Sequence, residues 1–383
     1  MSDLRVAWTE DGAERQARWR SESGWPVPAR ISLADDTLAA DVAYRLACEG
    51  TALLWRGDYQ NARQLLQALA RRIDRKPRKA AAPPPESEPQ ALFHRHRQAQ
   101  ARRARLLSMV LVELQGDYSI ALRRAPDLRA ACIEAWGAPD GQPQLVALRE
   151  LMGLVGAHEW RKKGVEVPAL GPPPDNRIHP HYGVFSPVRG EYLDLVARAP
   201  LPADRSLAWD VGTGTGVIAA LLARRGVAHV VATDNHPRAL ACARENLQRL
   251  QLQDRVEVRQ ADLFPEGAAP LVVCNPPWLP ARPSSALEHA VYDPDSRMLA
   301  GFLAGVAARL RPGGEAWLIL SDLAEHLGLR SREQLLALIA QGGLQVRERL
   351  DIRPRHPKAA DAADPLAMAR SREVTSLWRL VRA

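Results

Sequence analysis

Apolar residues recur at helical spacing through much of the first 160 residues. They follow one another at intervals of three and four over residues 33–75, and the same period returns over 91–136 and 144–160. Gly50 and the Gly57–Asp58 pair are the expected breaks in the first of these stretches. The pattern therefore predicts a mostly α-helical N-terminal domain.

Two proline-rich stretches interrupt the chain. Residues 77–89, PRKAAAPPPESEP, cannot continue a helix and predict a loop or linker. A second break, GPPPDN, covers residues 171–176 and precedes a change of pattern. We therefore expect a helical domain over residues 1–170 and a different domain over residues 177–383.

Short β-rich segments alternate with helical ones from Ser206 onward. The strand-like segments are SLAWDVG, HVVATD, VEVRQAD, LVVCNPP and EAWLIL. Such alternation is typical of repeated βαβ units and a parallel sheet. Two further β-like segments, VRERLDIR and VTSLWRLV, predict an antiparallel hairpin at the edge of the sheet. The second domain is thus predicted to be α/β, with seven strands.

The first of these strands contains Asp210, and glycines follow at every second position: Gly212, Gly214 and Gly216. Glycines there let the chain turn sharply and bring backbone N–H groups close to a ligand. A dinucleotide-binding fingerprint needs glycine at its first, third and sixth positions, and here the sixth is Val217. The spacing argues against NAD and favours a nucleoside without a pyrophosphate.

Acidic residues follow the next two strands, at Asp234 and Asp262. In an open parallel sheet these positions share the carboxyl edge with the glycine turn. A carboxylate at Asp234, next to Asn235, can accept both ribose hydroxyls of a nucleoside. A carboxylate at Asp262 can accept from an adenine amino group while Leu263 or Phe264 covers the ring. Each acid alone is equally compatible with a helix cap. Asp210, Asp234 and Asp262 together mark the ends of three successive strands, and this arrangement favours a ligand site.

The fourth strand leads into Asn275-Pro276-Pro277-Trp278, which we predict to be the catalytic residues of a methyl transfer to nitrogen. The Asn275 side-chain oxygen and the Pro276 carbonyl can accept the two N–H bonds of a planar amino or amide group. The prolines fix the backbone, and Trp278 offers a flat face for stacking. Alternatively the motif is a rigid turn around a buried tryptophan. Three polar residues in the following loop are candidates for substrate contact or for helix capping: His289, Tyr292 and Asp293.

As a set, DVGTGTG, ATDNHPRALACARENL, ADLF and NPPW resemble motifs I to IV of class I S-adenosylmethionine-dependent methyltransferases. More narrowly, they resemble the small-domain subgroup that methylates amino groups. That resemblance leaves three acceptors open: adenine N6 or guanine N2 in RNA or DNA, and a protein glutamine amide. The resemblance covers roughly residues 182–383 and implies a Rossmann-like methyltransferase sheet. It also implies S-adenosyl-L-methionine as cofactor, bound by Asp210, Gly212, Thr213, Gly214, Gly216, Asp234, Asn235, Asp262, Leu263 and Asn275.

One further segment, HYGVFSP at residues 181–187, resembles the part of these enzymes that packs beside the methionine portion of the cofactor. It departs from the usual Pro-Arg pattern there.

The net charge of +8 is concentrated in one segment. Residues 63–105 hold twelve Lys and Arg against three Asp and Glu, an excess of nine, so the rest of the chain sums to minus one. A basic segment of this kind attracts a phosphate backbone, although a solvated helix face is equally compatible with it. The C-terminal part adds a second group of basic residues, Arg347, Arg349, Arg353, Arg355 and Lys358.

These charges favour RNA as the substrate, with ribosomal RNA as the expected form. They also favour an N-terminal domain that recognises this RNA. A protein glutamine in a translation factor or ribosomal protein remains the alternative acceptor, because glutamine-modifying relatives also carry a helical N-terminal domain. A non-catalytic module that binds S-adenosylmethionine and a Rossmann oxidoreductase are two further alternatives.

The four cysteines are scattered without a CxxC pair, so we expect neither disulfides nor a metal site. The N-terminus lacks the apolar run of a signal peptide, and no stretch approaches the ~20 apolar residues of a membrane span. These features predict a cytoplasmic protein without membrane contact.

Overall fold

The computed structural model describes residues 4–75, 89–188, 190–282, 288, 291–354 and 364–383. The chain divides into two compact units, the first from residues 1–85 and 94–159 and the second from residues 86–93 and 160–383. This division falls before the predicted boundary at residue 170. The predicted loop 77–89 lies, apart from Pro89, outside the described residues.

The first unit combines a six-stranded sheet with helices. Its strands are β1 (Arg5–Glu10), β2 (Ala13–Arg20), β3 (Arg30–Ala34), β4 (Thr51–Trp55), β5 (Val110–Leu114) and β6 (Gln144–Ala147). The helices that fall wholly or mostly in it are α1 (Ala40–Cys48), α2 (Tyr59–Ile73), α3 (Pro89–Leu107), α4 (Arg129–Trp136) and α5 (Leu148–Lys163). The strands form one mixed sheet in the order β1-β2-β6-β5-β4-β3.

The prediction of a mostly helical domain over residues 1–170 is therefore wrong. All five residues of β4 and four of the five residues of β5 are buried. A strand covered on both faces reads as a continuous apolar run, and such a run cannot be told from a buried helical segment by periodicity. The expected breaks at Gly50 and Gly57–Asp58 do separate α1, β4 and α2.

The second unit contains the predicted alternation of strands and helices. Its strands are β7 (Val165–Glu166), β8 (Arg177–Ile178), β9 (Leu207–Val211), β10 (His229–Asp234), β11 (Val256–Gln260), β12 (Ala269–Cys274), β13 (Leu310–Ser321), β14 (Leu344–Ile352) and β15 (Thr375–Arg382). Its helices are α6 (Glu191–Arg198), α7 (Val217–Arg224), α8 (Pro237–Arg249), α9 (Arg297–Val306), α10 (Leu323–His326), α11 (Arg332–Gln341) and α12 (Ala367–Arg372).

Seven of these strands form a sheet in the order β11-β10-β9-β12-β13-β15-β14. The first five run parallel, and β15 is antiparallel to both of its neighbours. The predicted α/β fold with a C-terminal antiparallel hairpin is thus confirmed. Helices cover both faces, because successive residues of β9 enter different cores: Ala208 packs with α6 and α7, and Trp209 packs with α9 and α11.

Candidate active site at the carboxyl edge of the sheet

Four neighbouring strands end at the same edge of the seven-stranded sheet. Val211 of β9 pairs with Thr233 of β10 on one side and with Cys274 of β12 on the other, and Asp234 pairs with Gln260 of β11. The ends of β11, β10, β9 and β12 therefore lie side by side across three strand spacings, or roughly 14 Å. The segments predicted to bind a nucleoside and to transfer a methyl group all leave from these strand ends.

The glycine turn after β9 has a backbone that other residues rarely adopt. Gly212, Gly214 and Gly216 have φ of +73°, +56° and +81°, all in the left-handed region. The Gly212 N–H donates to the Thr233 carbonyl at 2.9 Å, which ties the turn to β10. A Cβ at Gly216 would lie 3.2 Å from the Ala243 backbone, whereas one at Gly214 would meet nothing within 4 Å. The turn is thus closely packed at Gly216, whereas open space remains beside Gly214.

Asp210 lies beneath this turn and is almost fully buried, at 1% exposure. Its Oδ2 accepts from the Thr213 hydroxyl at 2.6 Å and from the Ala219 N–H at 3.0 Å. Burial raises the pKa of the Asp210 carboxyl to about 7, against the effect of these two hydrogen bonds, and the nearby Asp234 raises it further. Among the described residues, Asp210 Oδ1 is buried without a hydrogen-bond partner. A buried acceptor of this kind fits a cationic ligand group such as an ammonium.

Asp234 joins the end of β10 to the glycine turn. Its Oδ2 accepts from the Gly214 N–H at 3.1 Å, and its Oδ1 accepts from the His236 N–H at 2.9 Å. The carboxylate is half-buried and the neighbouring Asn235 is exposed. Because each carboxylate oxygen accepts about two hydrogen bonds, Asp234 retains capacity for ligand hydroxyls.

The segment after β11 is fixed by its backbone. Leu263 adopts a φ of +69°, and its carbonyl accepts from the Thr233 hydroxyl at 2.7 Å. Asp262 is exposed, and Leu263 is half-buried. Phe264 stacks on Phe302 of α9 with ring centroids 5.8 Å apart. Leu263 and Phe264 are both half-buried and pack against the same core, so both remain candidates for covering an adenine ring.

The motif after β12 has an internal contact that the sequence did not predict. The indole N–H of Trp278 donates to the side-chain oxygen of Asn275 at 2.9 Å. Trp278 is half-buried and packs against the cores on both faces of the sheet. Of the two prolines that lie between Asn275 and Trp278 in the sequence, Pro276 is buried and Pro277 is half-buried. Trp278 thus holds the Asn275 carboxamide in one orientation, which leaves the oxygen one lone pair for another donor.

Met298, at the start of α9, is a site residue that sequence reasoning missed. Its Cε lies 2.4 Å from the position that a Cβ on Gly212 would occupy, so it covers one side of the glycine turn. Asp293 sets the start of α9, because its two carboxylate oxygens accept from the N–H groups of Met298 and Leu299 at 3.0 and 3.1 Å. No local pattern signals the contact between Met298 and Gly212, since 86 positions separate the two residues.

Residues near the start and the end of the loop between β12 and α9 are joined by backbone contacts. Leu279 forms an isolated parallel bridge with Tyr292, and the Asp293 N–H donates to the Leu279 carbonyl at 2.8 Å. Asp293 therefore has the helix-capping role, which was the alternative to substrate contact. His289, the third polar candidate of this loop, lies outside the described residues.

The segment 181–187 packs on α8. The His181 N–H donates to Cys242 Sγ at 3.3 Å, and Val184 packs against Ala239 and Cys242. The hydroxyl of Ser186 is buried and has no hydrogen-bond partner in the part of the chain that the structure describes. The predicted proximity of this segment to the methionine portion of a cofactor stays a prediction.

The C-terminal arginines are less available than their number in the sequence suggests. Arg347 pairs with Glu315 at 2.7 Å, and Arg349 pairs with Asp351 at 2.8 Å. Arg355 and Lys358 lie outside the described residues. Arg353 is exposed, so the described part of this group still presents basic side chains at the surface.

The described ranges contain neither a metal-binding cluster nor a membrane-spanning helix. Within them, no group of three or more His, Cys, Asp or Glu side chains is arranged to hold a metal ion. No helix in the same ranges is long and apolar enough to cross a membrane.

Comparison with known proteins identifies the family. The model of the methyltransferase small domain matches residues 175–336. The release factor glutamine methyltransferase of Deinococcus radiodurans is 32% identical over 242 residues, which cover 59% of this chain and 77% of that protein. The chain belongs to the class I S-adenosylmethionine-dependent methyltransferases. The predicted family and its cofactor, S-adenosyl-L-methionine, are thereby confirmed.

Two further relatives of this methyltransferase differ in what their names say they modify. The release factor glutamine methyltransferase of Cereibacter sphaeroides is 36% identical over 151 residues, or 35% of this chain and 51% of that protein. The chain thus spans about half the length of that relative. The tRNA1(Val) (adenine(37)-N6)-methyltransferase of Shewanella loihica is 28% identical over 177 residues, or 43% of this chain and 70% of that protein.

The residues present fit S-adenosylmethionine. The open space at Gly214 gives the ligand access to the turn, and the unpartnered, buried Oδ1 of Asp210 is suited to the ammonium of its methionine portion. The half-buried carboxylate of Asp234 has the acceptor capacity that ribose hydroxyls require.

Proposed function

We propose that this methyltransferase transfers a methyl group from S-adenosylmethionine to the exocyclic amino group of a nucleobase in RNA, with ribosomal RNA as the expected form. The observation that carries the proposal is the Asn275 carboxamide, held by Trp278 at the end of β12. That strand end is adjacent to the glycine turn of β9. An oriented acceptor oxygen beside a methyl donor is what transfer to an amino group requires.

On the cofactor side, the proposal assigns three kinds of contact. Asp210 receives the ammonium of the methionine portion, and the turn formed by Gly212, Thr213, Gly214 and Gly216 lies against the adenosine. Asp234 and the adjacent Asn235 bind the ribose. Asp262 accepts from the adenine amino group, and Leu263 covers the ring.

The methyl group bound to the sulfonium of the cofactor is a strong electrophile. The remaining lone pair of Asn275 Oδ1 and the Pro276 carbonyl accept the two N–H bonds of the substrate amino group. This arrangement directs the nitrogen lone pair toward the methyl carbon and favours the cationic transition state. Bound S-adenosylmethionine would supply that methyl group to the nitrogen, and the C–S electron pair would remain on its sulfur. The nitrogen then loses one proton to water, so no strong general base is required.

Two features favour a nucleobase over a glutamine amide. The helix α3 presents exposed arginines and contains no acidic residue, which suits a phosphate backbone. The glutamine alternative rested on a helical N-terminal domain, but the first unit is a mixed α/β structure. Against this, the 32% identity with a release factor glutamine methyltransferase favours a protein glutamine as the second candidate.

The experiment uses cells that lack this gene. Their lysate is incubated with the full-length enzyme and S-adenosylmethionine that carries a tritiated methyl group, and the labelled fraction is treated with ribonuclease or with protease. Ribonuclease-sensitive label, recovered in an N-methylated nucleoside, supports the proposal. Label that only protease removes contradicts it and supports the glutamine candidate.

A further inference from the structure

Helix α3 carries a regular stripe of polar side chains on one face. Arg95, Gln98, Arg102 and Arg105 recur at intervals of three, four and three residues, which places them on one side of an α-helix. All four are exposed. They belong to the first unit, which includes residues 94–159. We call these four residues the α3 stripe.

The other positions of α3 hold the helix in place. Phe93, Leu106 and Leu107 are buried, with exposures of 1%, 1% and 4%. Arg103 pairs with Asp74 through two hydrogen bonds of 2.8 and 3.0 Å. Because Arg103 follows Arg102 by one residue, it points about 100° away from that position of the stripe. The helix is thus anchored without the use of its exposed arginines.

Among the described residues, no ion pair joins an acidic side chain to an arginine of the stripe. Helix α3 contains no Asp or Glu over residues 89–107. The acids on α1 and at the ends of α1 and α2 are each paired with an arginine outside the stripe: Asp41 with Arg72, Glu49 with Arg45, and Asp74 with Arg103. The positive charge of the stripe therefore faces solvent.

We propose that the α3 stripe binds the phosphate backbone of the RNA substrate, an inference that rests on the proposed function. From Arg95 to Arg105 the helix advances by ten residue steps, or about 15 Å, which is enough to contact more than one phosphate of a strand. Each guanidinium can donate two parallel hydrogen bonds to a phosphate, and the Gln98 amide can donate to the same backbone. A protein partner would need apolar contacts at the centre of the interface, and the stripe contains no large apolar side chain.

The test compares two triple variants of the full-length protein that lose the same charge. In the stripe variant, Arg95→Ala, Arg102→Ala and Arg105→Ala are combined; alanine is the best helix former, so α3 is retained. In the control variant, Arg15→Ala, Arg244→Ala and Arg372→Ala remove three exposed arginines elsewhere. The probe is a fluorescent single-stranded RNA of mixed sequence, and its dissociation constant is measured over a range of salt concentrations.

The stripe variant is expected to bind the RNA about tenfold or more weakly than the unmodified protein. The slope of log affinity against log salt is expected to fall in magnitude by about two, as three lost phosphate contacts require. The control variant is expected to stay within about twofold. Equal loss in both variants, or unchanged binding by the stripe variant, overturns the inference. A stripe variant that loses methylation of a protein but still binds RNA normally would also overturn the inference.

Failure of this inference is distinguishable from failure of the proposed function. If the unmodified protein methylates RNA and the stripe variant binds RNA normally, the stripe assignment is wrong and the function stands. If RNA binding depends on the stripe but the tritium label enters only protein, the function is wrong and the stripe is an RNA contact of another purpose.

Discussion

The indole N–H of Trp278 donates to the side-chain oxygen of Asn275 at 2.9 Å, so the last residue of the Asn-Pro-Pro-Trp motif orients the first. An indole nitrogen is only a donor, and it therefore requires the oxygen rather than the nitrogen of the carboxamide to face it. The ring is half-buried because it packs against the cores on both faces of the sheet. Trp278 positions the group that we propose to receive the substrate amino group.

Replacing Trp278 with phenylalanine tests this positioning. The Trp278→Phe variant keeps an aromatic ring in the turn but loses the N–H donor, whose hydrogen bond contributes about 1 kcal/mol. We expect kcat to fall by about fivefold while KM changes by less than about threefold. Trp160→Phe, at a tryptophan that is 53% exposed, is the matched control and should leave both constants unchanged. A rise in KM at constant kcat would instead indicate that Trp278 acts mainly by stacking on the substrate.

The glycine turn gives a second prediction. In the Gly214→Ala variant the new Cβ meets no protein atom within 4 Å, so its effects are backbone strain at φ +56° and obstruction of the ligand. We expect binding of S-adenosylmethionine, measured by calorimetry, to weaken by at least about tenfold. Gly343→Ala is the matched control, because Gly343 also has open space and a φ of +69°. Equal affinities in the two variants would place the cofactor away from Gly214.

Met298 and Gly212 are expected to be coupled. A Cβ at Gly212 would lie 2.4 Å from Met298 Cε, so the Gly212→Ala variant must displace that side chain. Shortening the partner with Met298→Ala removes this clash but not the backbone strain. The double variant is therefore expected to recover part of the thermal stability that Gly212→Ala loses, with an interaction energy of about 0.5–3 kcal/mol. Strict additivity of the two changes in unfolding free energy would argue against the contact.

Asp210 gives the site a dependence on pH. Burial raises the pKa of its carboxyl to about 7, above an unfolded value of about 4. Between these values the folded state holds the proton more strongly, so stability falls as the pH rises from about 4 to about 7. An ammonium ligand favours the ionised form, so cofactor affinity should rise by about tenfold from pH 6 to pH 8. Unfolding curves and calorimetry at both pH values check this, with Asp210→Asn as the variant that should lose both trends.

The sequence predicted the second unit well because its strands carry distinct signals. Each strand at the carboxyl edge is followed by a glycine turn, an acid or the NPPW motif. These signals mark the ends of the strands in the sequence. In the first unit the hairpin of β1 and β2 turns at Asp11 and Gly12, with φ of +53° and +77°. An Asp-Gly pair between alternating segments is a strong hairpin signal, which helical periodicity does not detect.

Other features of the site could not be predicted from the sequence, for a physical reason. The hydrogen bond between Trp278 and Asn275 depends on how two prolines turn the backbone, and residue types do not specify that path. The contact of Met298 with Gly212 joins distant parts of the chain through the packing of α9. The ion pairs of Arg347 and Arg349 likewise arise only when β14 is placed in the sheet, and they remove charge that the sequence had suggested was free.

The central claim, methyl transfer to an amino nitrogen held by Asn275, is tested most directly by the Asn275→Ala variant. Transfer of tritium from labelled S-adenosylmethionine to lysate RNA is measured beside the affinity of the same protein for the cofactor. We expect transfer to fall by about a hundredfold or more while cofactor affinity changes by less than about tenfold. Undiminished transfer by a variant that still binds the cofactor would contradict it.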